Sequence, residues 1–142
     1  MTEEAKILEE IRQNVEMGID GINTVCKKVK DEAFLSLLDA QRTEYRSVLA
    51  EAGSRLNAIG APVESKTGAS KVYAKMFSGA KALTYSCDSE IAEDMIKGTT
   101  TGISKMTRRL NDTCAISQDT RAFAEKLVKT EEKNVEDLKK FL

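Results

Sequence analysis

The sequence predicts an all-α chain folded as one antiparallel helix bundle, and three observations predict it. There is a single proline, Pro62, and no tryptophan in a chain rich in Glu, Lys, Ala and Leu, a composition that favours helix nearly everywhere. Apolar residues recur every three or four positions through four long windows, which is the period of a buried helical face. No window alternates apolar and polar residues as a half-buried strand would.

The first helix is expected over about residues 3–30, where Leu8, Ile11, Val15, Gly18, Ile19, Ile22, Cys26 and Val29 form one stripe. Asp31 then offers a side-chain N-cap for a second helix, whose face carries Phe34, Leu38, Tyr45, Val48, Ala52, Leu56 and Ile59. So short a connection makes these two helices a hairpin. Gly60-Ala61-Pro62 ends the second helix, and after a polar stretch Val72, Met76, Phe77, Ala80 and Leu83 predict a short amphipathic helix. The third long helix is expected from about Asp88, with Ile91, Met95, Ile96, Ile103, Met106 and Leu110 on its stripe. A polar turn, Asn111-Asp112-Thr113, precedes the fourth, marked by Ile116, Phe123, Leu127, Leu138 and Phe141. Because the connection between the second and third helices is long enough to cross the bundle, those two helices are expected to run parallel, in an up-down-down-up order.

At 142 residues the chain is read as one domain, 1–142. Its 22 basic and 23 acidic residues leave a formal charge of −1, which supplies neither the basic field needed for nucleic acid nor one for an anionic membrane. No stretch approaches the roughly 18 apolar residues of a membrane span, and the charged start MTEEAKILEEIRQN does not resemble a signal peptide. Cys26, Cys87 and Cys114 are an odd set without a CxxC pair, which reads as reduced thiols and a cytoplasmic location. The chain contains no histidine, so every His-dependent acid–base or metal mechanism is excluded.

Helical wheels place some polar residues on the apolar faces. Thr99 lies between Met95 and Met106, while Glu131 and Asn134 lie between Leu127 and Leu138. Glu44 flanks the second stripe beside Gln41 and Tyr45. The expectation is a buried polar layer of Gln41, Glu44, Thr99, Glu131 and Asn134 across the middle of the bundle. A buried carboxylate costs several kcal/mol unless it is compensated, so Glu131 requires a metal, Arg42 or its own proton. A hydrogen-bonded layer that only fixes the bundle's register is the competing account. Asp20, Glu16, Glu90, Glu93, Asp94, Glu132 and Glu136 read as solvated charge.

The arrangement resembles the ferritin-like superfamily, and within it a small bacterial four-helix-bundle domain family of unknown function. The resemblance is carried by Gly18-Ile19-Asp20-Gly21, Gln41-Arg42-Thr43-Glu44-Tyr45, Leu56-Asn57-Ala58-Ile59-Gly60-Ala61-Pro62, Lys97-Gly98 and Glu131-Glu132-Lys133-Asn134. It implies a bundle with one long crossover carrying the short extra helix. Metal-binding relatives place Glu-x-x-His on two helices and a Glu on each of the others. Here Glu44 and Glu131 match carboxylates of that pattern, but Ser47 and Asn134 stand at its histidines and Thr99 near a third carboxylate. The resulting expectation is a non-enzymatic structural or partner-binding bundle, self-associating or bound to a protein partner, with no cofactor. The alternative is a ferritin-like oxidoreductase or metal store, in which Glu44, Glu131 and Asn134 would hold iron or manganese.

Overall fold

A computed structural model of the protein describes residues 2–61 and 84–142. Four long helices account for most of these: α1 (Glu3–Val25), α2 (Glu32–Ala58), α3 (Asp88–Asp112) and α4 (Gln118–Leu138), with a 3₁₀ turn at Lys139–Phe141. There is no strand among the described residues. The short helix expected around Val72–Leu83, with Pro62, lies outside them.

Side-chain caps mark three of the four starts, satisfying backbone N–H groups that have no partner inside the helix. Thr2 accepts from the N–H of Ala5, Asp31 from Phe34 and Ser117 from Thr120. At the end of α2, Gly60 takes a left-handed φ of 70°, a conformation open to glycine at little steric cost. Two boundaries differ from the sequence reading. α1 stops at Val25, so Cys26 sits half-buried at the C-cap instead of on the core stripe. α3 continues through the expected Asn111-Asp112 turn, and α4 starts only after Ser117. Glu4 explains the later start: it accepts from both the N–H and the hydroxyl of Ser117 and from the Thr120 hydroxyl, fixing the α4 cap against α1.

Such tethers also give the helix directions. Asp88, the first residue of α3, accepts from the N–H groups of Lys30 at 3.0 Å and Asp31 at 2.8 Å, so α2 and α3 begin at the same end. Glu4 holds the start of α4 beside the start of α1, at the other end. At the first end Phe34 stacks on Phe141, with centroids 4.6 Å apart. The order is therefore up, down, down, up: α2 finishes at one end of the bundle and α3 resumes at the other.

The core is a continuous apolar cluster. α1 contributes Ile7, Leu8, Ile11, Val15 and Ile22; α2 contributes Phe34, Leu38, Tyr45, Ala52 and Leu56; α3 contributes Ile91, Ala92, Met95 and Met106; and α4 contributes Phe123, Ala124, Leu127 and Leu138. Each large aliphatic or aromatic side chain buried in this way contributes about 1.5–3 kcal/mol through removal from water. The expected stripes thus supply most of the core, although Ile59 ends up exposed at the α2 cap.

Candidate functional site: a cleft with a buried carboxylate at its floor

Tyr45 points inward from α2 because it shares the stripe of Leu38, Ala52 and Leu56. Its ring lies against α1 at Gly18, where a Cβ would stand 2.7 Å from Tyr45 Cε2. Glycine at this position lets the ring approach the α1 backbone. The phenol then reaches α4, donating to Glu131 Oε2 at 2.6 Å. Asn134, almost one turn further along α4, donates from Nδ2 to the Tyr45 oxygen at 3.3 Å. Gln41, one turn before Tyr45, donates to the Asn134 carbonyl at 3.4 Å.

Glu131 is 4% exposed. Burial pushes its pKa up to about 7, while the hydrogen bonds from Tyr45 and Asn134 hold it back. This follows from chemistry: the phenol and amide stabilise a carboxylate by donating to it, but neither neutralises its charge. No Lys or Arg forms an ion pair with Glu131 among the described residues. Arg42, one of the partners the sequence suggested, is directed elsewhere, to Asn23 at 2.8 Å and Asp39 at 2.7 Å.

The expected polar layer is only partly assembled. Gln41, Glu131 and Asn134 are buried and joined through Tyr45. Glu44 is exposed. It precedes Tyr45 by one residue, a rotation of about 100° on a helix, and therefore leaves the core face as Tyr45 enters it. Thr99 is half-buried and donates its hydroxyl to the Met95 carbonyl at 2.8 Å, within its own helix. It occupies the inward stripe but faces an opening between α1 and α3 in place of another side chain.

That opening is a cleft of about 610 Å³. Met17 and Gly18 of α1 and Met95, Gly98, Thr99, Gly102 and Met106 of α3 line its walls, with Tyr45 and Glu131 contributed by the other two helices. Asn14 crosses toward α3 at Gly102, where a Cβ would lie 2.8 Å from its Oδ1. Glu10, Lys105, Arg108, Arg109 and Asp112 provide charged lining. Arg109 is engaged by Glu3 and Glu10, each at 3.2 Å. Burial raises the Glu10 pKa, against the lowering influence of Arg109 and Lys105.

A second buried charge cluster lies on α1. Arg12 brackets the Glu9 carboxylate, with its Nε 3.0 Å from both oxygens, and reaches Glu16 at 3.1 Å. Glu9 and Arg12 are 6% and 5% exposed. The sequence reading missed this pair and assigned Glu16 to a solvated face. The E-x-x-R-x-x-x-E spacing signals pairing along a helix, but these residues lie off the main stripe, where periodicity gives no indication of burial.

Among the described residues, no group of three or more Asp, Glu, Cys or His side chains is arranged to hold a metal ion. Nor is any described helix long and apolar enough to cross a membrane. Cys87 and Cys114 are exposed near opposite ends of α3 and remain free thiols. Compared with protein-family models, curated proteins and solved structures, the chain matches none of them.

Proposed function

We propose that this chain is a ferritin-like bundle acting as a non-enzymatic, cytoplasmic binding protein, and that the α1–α3 cleft is where it takes up a small apolar molecule. The cleft itself carries the reading: it is about 610 Å³, and although ten of its lining residues are polar or charged, its exposed surface is mostly apolar, with three methionines, a tyrosine and three glycines, which matches the size and character of small-ligand sites. Methionine suits such a wall because its flexible, polarisable side chain adapts to irregular shapes.

The parallel course of α2 and α3 supports the ferritin-like arrangement, as does the pairing of Gln41 and Tyr45 with Glu131 and Asn134 on facing helices. Binding without a metal is supported by the ligand chemistry. Glu44 faces solvent, Glu131 is engaged by a phenol, and asparagine replaces the imidazole that a ferritin-like site would use. Self-association or a protein partner belongs to the same proposal as the means of presenting the cleft.

Titration with the neutral fluorescent probe N-phenyl-1-naphthylamine tests this function. Saturable binding at about one probe per chain is expected. Thr99→Phe should greatly weaken it by filling the cleft while the circular dichroism spectrum remains helical. Absence of saturable binding, or identical binding by the folded variant, would overturn the proposal.

A further inference from the structure

We infer that the cleft selects an organic cation, an ammonium group on an apolar tail, with the ammonium seated at Glu131 and the tail between α1 and α3. This inference rests on the cleft being the binding site and specifies what enters it.

Charge complementarity carries it. Glu131 lines the cleft, is 4% exposed and has only neutral donors, Tyr45 and Asn134, as hydrogen-bond partners among the described residues. A buried carboxylate without a countercharge is costly to ionise, and a cation brought by the ligand would remove that cost. The other carboxylate buried among the described residues, Glu9, is treated differently: it has a guanidinium from its own helix. At Glu131 the corresponding place is open to a cleft.

The remaining cleft charges do not favour an anion at the floor. Arg109 is taken by Glu3 and Glu10, while Lys105 and Arg108 are exposed and share the lining with Asp112. An anionic head directed inward would meet Glu131, whereas an ammonium there could donate to the carboxylate. Met17, Met95 and Met106 then offer the tail an apolar wall.

Three probes with the same tail and different heads test the choice: octylammonium, 1-octanol and octanoate, titrated by calorimetry at pH 8. That pH lies above the value of about 7 to which burial raises Glu131, while octylammonium retains its charge. Octylammonium should bind at least about tenfold more tightly than 1-octanol, with octanoate weakest, as expected for one charge-assisted contact. Glu131→Gln should reduce octylammonium to the level of 1-octanol and leave 1-octanol binding within about twofold.

If 1-octanol or octanoate binds as tightly as octylammonium, or if Glu131→Gln retains the cation preference, the inferred ligand class is wrong while the cleft remains a binding site. If no probe binds the parent protein, the cleft reading fails, and this inference with it. The comparison among heads is made on the parent protein and does not require the variant to fold.

Discussion

Glu9 and Glu131 are buried to nearly the same degree, at 6% and 4% exposure, but the bundle compensates them in different ways. Glu9 is held by Arg12, whose guanidinium spans both carboxylate oxygens and also reaches Glu16. The hydrogen bond to Glu9 is the largest influence holding the Arg12 pKa above its ordinary value, against the cost of burial. Glu131 has a phenol and an amide instead, and burial raises its pKa to about 7. One site is a carboxylate paired with a guanidinium from its own helix. The other joins α2 to α4, can gain or lose a proton near neutral pH, and borders a cleft. Burial alone does not separate these two carboxylates; the identity of each partner and the open space beside Glu131 do.

The largest effect expected from this contrast is at the ion pair. Arg12→Met leaves Glu9 buried without its guanidinium and should destabilise the protein by about 3–5 kcal/mol. Adding Glu9→Leu removes the stranded charge and should recover most of that loss, since apolar replacement of a buried pair is often neutral or better. Urea unfolding of the parent, single and double variants measures both effects. Equal stability of the single and double variants would show that Arg12 acts mainly through packing.

Glu131 should give the next largest effect, expressed as pH dependence. An unfolded glutamate titrates near its ordinary value of 4.5, whereas burial pushes folded Glu131 up to about 7. Between these values the folded state binds the proton more tightly, so its stabilising contribution is present at low pH and is lost as pH rises through about 7. The full change is on the order of 3 kcal/mol, with no further loss from this group above it. Glu131→Gln should remove that slope and be the more stable form at pH 8. The difference between parent and variant isolates this residue from Glu10, which contributes in the same direction, and from Glu4 and Glu90, whose pKa values are lowered. Equal pH profiles would show that Glu131 does not titrate as its surroundings require.

Tyr45→Phe sharpens the same contrast by keeping the ring against Gly18 while deleting the hydroxyl. Loss of the donor to Glu131 and the acceptor for Asn134 should cost about 1–3 kcal/mol at pH 8. Because the Tyr45 hydrogen bond lowers the Glu131 pKa, its removal should move the titration to higher pH. Carbon-13 NMR of the Glu131 carboxyl reads that shift directly. An unchanged titration would mean that the phenol does not stabilise the ionised form.

The contrast also shows why some features were legible in the sequence and others were not. Phe34, Leu38, Leu56, Ile91, Leu127 and Leu138 are buried as their spacing requires. Asp31 caps α2 and Asp88 opens α3 as expected. Glu131 and Asn134 could be found as polar residues interrupting an apolar stripe. The Tyr45 contact could not be assigned from one helix alone, because it depends on how α2 faces α4 and on the room left by Gly18. Thr99 occupies an inward position, but periodicity cannot distinguish a packed interface from a cleft. Arg12 and Glu9 were hidden for the converse reason: their burial lies off the dominant apolar face.

The smallest expected effect is at Glu44, the carboxylate that the sequence grouped with Glu131. Its wheel position is about 90° from the centre of the α2 stripe, and its side chain is exposed. Glu44→Gln should therefore change stability by no more than about 0.5 kcal/mol, as expected for a solvated surface residue. It should also leave the pH profile and octylammonium binding unchanged. The same pair of variants tests the metal-binding alternative, because Mg²⁺, Mn²⁺ or Fe²⁺ held between Glu44 and Glu131 would raise the parent's melting temperature through preferential binding to the folded state. Loss of such a rise in both Glu44→Gln and Glu131→Gln would bring the two carboxylates into one site and overturn the separation of exposed Glu44 from buried Glu131. A rise lost only in Glu131→Gln would place the cation at the inward carboxylate, beside Tyr45 and Asn134, and would overturn the metal-free reading while leaving exposed Glu44 outside the site.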